Sequence, residues 1–192
     1  MTEEHTPNVA QLLHAIGLPK DFLDQLQKES DWSLIIKLHA VFEAVLGSLI
    51  VKHLAMPQAA EVISQLDFNN AKSGKVAFAR ALGLIESHDV AFLRGLTELR
   101  NRLVHDIRNV TFTIGAHVAG FSSRELKKFK TEFGRAICQL QDGEAEYTNL
   151  LKNYPRAIVH LAAHDCLLNL QFRVSAHARN LVVEALLRRS AK

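Results

Sequence analysis

Residues 87–108 read SHDVAFLRGLTELRNRLVHDIR. At about 100° per residue, Leu93, Leu96, Leu99, Leu103 and Ile107, with Val110 just beyond, share one arc of roughly 120°. Arg94, Glu98, Asn101, His105 and Arg108 fall on the opposite face. That is the pattern of a helix with one buried side. Ser87 ahead of Asp89 and Val90 supplies an N-cap for it.

Working toward the N-terminus, residues 31–53 form the other long periodic segment. It starts at Asp31 or Ser33 and is ended by Met56-Pro57. Its apolar run from Leu34 to Leu54 is interrupted by Lys37, His39, Glu43 and Lys52, which predicts a core helix rather than a membrane span. Shorter helices are expected at residues 8–16, 21–28, 58–66 and 72–85, punctuated by sparse Gly and Pro. Working toward the C-terminus, residues 110–121, VTFTIGAHVAGF, alternate β-branched and small residues and predict a small hairpin or an extended loop. Ser122-Ser123 then caps a basic helix expected to reach residue 141, where Asp142-Gly143 breaks it. A short helix at 144–152 and a long one at 155–189, with Pro155 in its first turn, complete the chain. One segment in the chain hints at strand, so the expected class is all-α, with the two long helices forming an antiparallel pair around Phe42 and Leu103.

The 192 residues carry a net charge of +3 and ordinary globular proportions of apolar and charged side chains. This charge permits a phosphate-rich partner without requiring one. Cys138 and Cys166 are too few for a disulfide framework and are expected as reduced, buried thiols. The opening MTEEHTPNVA has neither a basic stretch nor an apolar one, so no signal peptide and a cytoplasmic location are expected.

Within the decisive helix, Arg100 sits inside the apolar arc, between Leu96, Leu103 and Ile107. A guanidinium there costs several kcal/mol unless it is paired or reaches water or a ligand. Two readings follow. Arg100 pairs with a buried carboxylate, for which Glu43 on the other long helix is the natural candidate, or it faces a cleft and binds phosphate. His105 lies four residues after Asn101, so the two share a face, where an Asn can fix an imidazole tautomer; a solvated surface histidine fits the same pattern.

The run LRNRLVHD (residues 99–106), with Arg-Asn, three residues and His late in a long amphipathic helix, resembles the HEPN superfamily signature. The framing is also similar. ESDWSLIIKLHAVFEAVL (29–46) and GKVAFARALGLIESHD (74–89) precede the motif in an order that resembles the mannitol-operon repressor branch. The likeness divides the chain into an N-terminal helical segment (1–28), a HEPN-like core (29–112) and a C-terminal helical extension packed on it (113–192).

The resemblance implies a helical bundle that dimerises by bringing two motif helices together, with a metal-independent, cofactor-free endoribonuclease site in the shared cleft. Arg100 would hold the scissile phosphate, His105 would act on the 2′-hydroxyl or the leaving oxygen, and Asn101 would orient His105. Arg102 and Arg108 would grip flanking nucleic acid, or else form solvated ion pairs, Arg102 with Glu98 or Asp106. Arg100 and His105 lie about 140° apart on an ideal helix, which favours a cleft made by two chains. In the dimer, a shared anion or opposed carboxylates such as Glu43 would balance the paired Arg100 charges. Members of this superfamily also act without catalysis. The second expectation is therefore a regulator or scaffold of the repressor-like kind, involved in transcription regulation and binding a protein or nucleic acid. RNA, an antitoxin or regulatory protein, and a second copy of the chain are the expected partners; no membrane is expected.

Other patterns carry less. Ser73-Gly74-Lys75 lacks the earlier glycine (Asn69) and the following hydroxyl residue (Val76) of a phosphate loop. His160 and His164, with Asp165 or His177, read as packed or solvated residues rather than metal ligands. Arg124, Lys127, Lys128 and Lys130 make a basic face, solvated or phosphate-contacting. Ile158, Leu161, Leu168, Phe172 and Leu181 mark core or a dimer seam.

Overall fold

Ser30 leaves the helical conformation and its hydroxyl accepts the Ser33 amide at 3.2 Å, which opens α3, Asp31–Leu54. In this computed structural model, residues 9–138 and 144–190 are described, with side chains at 9–137 and 145–176. Helix α3 has the length and apolarity of a membrane-crossing helix. Its apolar face, with Leu34, Leu38, Phe42, Val45 and Leu49, is spent on the core. Ahead of it lie α1 (Val9–Ala15) and α2 (Phe22–Leu26). After it come a 3-10 turn at Pro57–Ala59, α4 (Ala60–Gln65) and α5 (Lys75–Ala81). Helix α5 is shorter than its periodicity suggests. Asn70 takes the amides of Lys72 and Ser73 before it, and Gly83 turns the chain at φ 71° after it.

Helix α6, Ser87–Val104, is opened by a capping box one residue earlier than expected. Glu86 is its N-cap, and the buried Asp89 carboxylate accepts the Glu86 amide at 2.8 Å. Phe92 then meets Phe42 of α3 at 5.1 Å and Phe133 at 5.8 Å, both edge-on. Asp31 at the start of α3 accepts the Ile114 amide from beyond the end of α6, so with Phe42 against Phe92 α6 runs antiparallel to α3. Leu93, Leu96, Leu99 and Leu103 are buried as the arc requires. The helix stops at Val104 because Asp106 turns extended and accepts the Arg108 amide, opening a 3-10 turn at Ile107–Thr111. Ile107 and Val110 therefore leave the arc, 81% and 52% exposed.

Where a small hairpin or an extended loop was expected at 110–121, the chain forms a helix, α7, Ile114–Ala119. Thr113 caps it by accepting the Ala116 amide, and Asp31 at the start of α3 accepts the Ile114 amide at 2.7 Å. Ile114 and Val118, four residues apart, enter the core together. Burial and capping override the β-branched composition.

Ser122 and Glu125 form the capping box of α8, Ser123–Phe133, which packs on α6. The helix ends near Phe133, not residue 141, because Gly134 lies against Tyr147, whose hydroxyl donates to the Gly134 carbonyl at 2.6 Å. A Cβ at Gly134 would stand 1.8 Å from that oxygen. Then follow α9 (Arg135–Cys138), α10 (Glu144–Asn153) and α11 (Pro155–Ser190). The expected break at Asp142-Gly143 and the side chains of Cys138, His177 and Leu181 lie outside the described residues.

Helix α11 packs against α1, α3, α6 and α7. Its Arg156 donates to Asp31 and to the carbonyls of Leu26, Gln27 and Glu29, which joins α2, α3 and α11. Ile158 is buried there, whereas Leu161 and Phe172 stand exposed. Among the described residues every regular element is helical, and one apolar cluster runs from Val9 to Leu170. The chain is an all-α helical bundle.

Candidate functional site

The last turn of α6 positions the motif. Arg100 is half-buried, and its guanidinium donates to the Asn101 Oδ1 at 3.1 Å. Among the described residues no carboxylate pairs with it. Glu43, its expected counter-charge, is engaged elsewhere. The Lys75 ammonium, 3% exposed, donates to Glu43 at 2.8 Å and to the Ser64 carbonyl at 3.0 Å. The physical reason is burial. An interior ammonium needs a carboxylate partner more than a guanidinium that is still half-exposed.

His39 completes the cluster, and it was missed from the sequence. It is buried on α3, stacks edge-on against Phe68 at 4.6 Å, and its Nε2 has no hydrogen-bond partner among the described residues. Burial, then the neighbouring Arg100 charge, holds its pKa below the ordinary value, so the ring is neutral at pH 7. The available signal was its place four residues before Glu43, on the face α3 turns toward Phe68 and Lys75.

The remaining motif residues point outward. Asn101 and Arg102 are exposed, and His105 is the exposed C-cap of α6. Asn101 is hydrogen-bonded to Arg100 rather than to His105, which makes no hydrogen bond or ion pair among the described residues. Arg108 pairs with Asp106 at 2.7 Å, and Glu98 pairs with Lys128, so neither carboxylate is taken by Arg102. Arg100 and Asn101 are thus joined by a hydrogen bond and the Arg100 charge is felt at His39, while Arg102 and His105 are exposed nearby in sequence. Val104, Ile107 and Val110, close to the motif in sequence, are exposed apolar side chains.

A second polar cluster lies between α6 and α8. Arg102, His117, Glu125, Lys128 and Glu132 surround a cavity of about 120 Å³. Burial pushes the Glu132 carboxyl up to about 7, against the attraction of Lys128. His117 is held low by burial and then by Arg102. No group of three or more metal-ligating side chains occurs among the described residues, and His160 instead contacts the Leu23 carbonyl at 3.1 Å. No family model matches the chain, and no curated protein or solved structure matches it either.

Proposed function

We propose that the chain is a metal-independent endoribonuclease of the HEPN kind, of a toxin or defence type, acting at a cleft shared by two copies. One observation carries the reading: Arg100 is half-buried without a carboxylate partner among the described residues. Neighbouring charges do not offset it, since Glu43 is committed to Lys75 and His39 is neutral. An anion at this point removes the imbalance, and a phosphodiester is the anion that a planar guanidinium fits best.

In the proposed reaction Arg100 binds the scissile phosphate, and Asn101 steadies its guanidinium. The His105 imidazole moves a proton at the 2′-hydroxyl or the leaving oxygen. Arg102 and Arg108 hold flanking phosphates. A two-fold contact between motif helices brings His105 of one copy toward Arg100 of the other. Supporting it are Val104, Ile107 and Val110, apolar side chains that a second copy would cover.

The second reading is a non-catalytic regulator or scaffold that offers the same end of α6 to a protein or nucleic acid. The unsupported His105 ring favours it, because a general acid or base is ordinarily oriented by a hydrogen bond.

Incubation with total RNA in EDTA separates the two. Cleavage is expected from the wild type, with a loss of roughly 10²–10⁴-fold in His105→Ala. Cleavage that survives in His105→Ala removes that residue from the mechanism, and the absence of cleavage under any condition moves the chain to the regulatory reading. Light scattering that returns a strict monomer of 21.5 kDa at micromolar concentration would sink the shared cleft.

A further inference from the structure

Helix α11 has two apolar sides, and the bundle covers one of them. Val159, Ala163, Leu167 and Leu170 are buried in the core. On the opposite side Leu161 is 40% and Phe172 55% exposed, with Leu168 half-buried between them. At 100° per residue these three share one stripe, roughly 100° wide, with Ala157, His164 and Asp165. From Leu161 through Asp165 and Leu168 to Phe172 the steps are four, three and four residues, the rhythm of a seam between two paired helices. At the Ala157 end, Asp24 and Gln27 of α2 form the other wall of a groove of about 630 Å³, which Ala157, Leu161 and His164 line from α11.

Reversed end to end, this stripe complements itself. A two-fold axis passing between positions 164 and 165 sets each residue against the one equally far along on the other copy. Leu161 of one copy then meets Leu168 of the other. His164, which is exposed, meets Asp165, whose bond from Asn169 is long at 3.4 Å. Ala157, the smallest side chain of the stripe, meets Phe172, the largest. The groove beside Ala157 is therefore the place where the exposed Phe172 ring of the other copy arrives, about 22 Å along the helix from its own. Each of these matches occurs twice, apolar with apolar, imidazole with carboxylate, ring with hollow. An unrelated partner would require none of them within one helix, whereas a second copy requires them all. We infer that this face of α11 docks antiparallel on the same face of a second copy, with Phe172 seated in the groove at Ala157. The contact is separate from the one proposed at α6 and does not rest on the ribonuclease reading.

The test uses the full-length chain carrying Ile107→Glu, which charges the surface proposed for the α6 contact, so that mass reports on α11. Sedimentation equilibrium across a concentration series is expected to show reversible dimerisation of the 21.5 kDa chain. Phe172→Ala removes the ring, and Ala157→Phe fills its groove. Both positions are exposed, so each variant should keep the helical circular-dichroism spectrum of its parent. Each alone is expected to weaken dimerisation about tenfold or more, because an aromatic anchor seated in a pocket carries much of an interface's energy. Mixed in equal amounts, the two variants should regain the parent's affinity to within about threefold. In the mixed dimer the filled groove faces the missing ring, and the intact ring faces the intact groove. A monomer at every concentration overturns the inference, and so does a dimer indifferent to both substitutions. A mixture that associates no more tightly than either variant alone overturns it as well, because the ring and the groove then do not meet. RNA cleavage plays no part in these readouts, so the ribonuclease reading stands or falls separately.

Discussion

Around its first turns α6 is held by the fold: Asp89 accepts the Glu86 amide, Glu86 accepts Arg173 of α11, and Phe92 sits between Phe42 and Phe133. Around its last turn the same helix carries Arg100 without a carboxylate and His105 without a hydrogen bond among the described residues, and the 3-10 turn just beyond it leaves apolar Ile107 facing solvent. Side chains at the first end are explained by stability. Those at the second are not, and several of them carry a small cost. A helix that is well determined at one end and oversupplied with charge and apolar surface at the other has its surplus where a ligand or a second chain would use it.

Truncation gives the largest contrast between the ends. Phe92→Ala should cost about 3–5 kcal/mol in a urea or thermal melt, because it empties the contact between α3, α6 and α8. Ile107→Ala should stay within about 0.5 kcal/mol at concentrations where the chain is a monomer. Comparable losses at both positions would erase the distinction.

The middle of α6 supplies the next effect. Glu132, 14% exposed, packs beside Gly95, where a Cβ would come within 2.9 Å of it. Its carboxyl titrates near 7 in the folded chain against an ordinary 4.5. Between those values the unfolded chain releases the proton and the folded chain keeps it, so stability falls as pH rises from about 4.5 to about 7 and levels off above. Glu132→Gln should flatten that limb, which is worth on the order of 3 kcal/mol. Chemical denaturation at several pH values reads it, and an unchanged pH slope in the variant would show that Glu132 ionises freely.

The smallest effect is the most local. Replacing Arg100 by Gln removes a positive neighbour of His39, so the His39 pKa should rise, with little change in overall stability. Titration of the imidazole proton signals by NMR checks the direction. A pKa that does not move places the guanidinium away from His39 and dissolves the cluster.

The long elements were legible in the sequence because several signals agreed along them. For α3 and α11, apolar periodicity ran well beyond a dozen residues, and Asp31 and Pro155 are the first residues of the two helices, as two of the expected starts had it, although the Ser30 cap was not foreseen. The end of α6 was not legible. Periodicity carries on through Ile107 and Val110, while the feature that stops the helix is one carboxylate, Asp106, capturing the amide two residues on. Residues 114–119 were misread for a related reason: their β-branched alternation is a local preference, and the cap from Thr113 and the distant Asp31 are not local to it. At the site, pattern alone located Arg100 as a misplaced charge. The partner given to it failed because helix-pair geometry says nothing about Lys75, which arrives from α5 and takes Glu43.

Asp31 has a consequence for the order in which the molecule assembles. Its carboxylate receives the Ile114 amide from 83 residues downstream and the Arg156 guanidinium from 125 residues downstream. In a chain made from its N-terminus, the α3–α6 pair has all its residues well before Arg156 exists, so it can collapse first. The Asp31 side chain stays hydrated through that stage and gains its guanidinium only when α11 docks. On this order of assembly the Asp31–Arg156 contact is a late one, expected to contribute more to holding the bundle shut than to bringing it together.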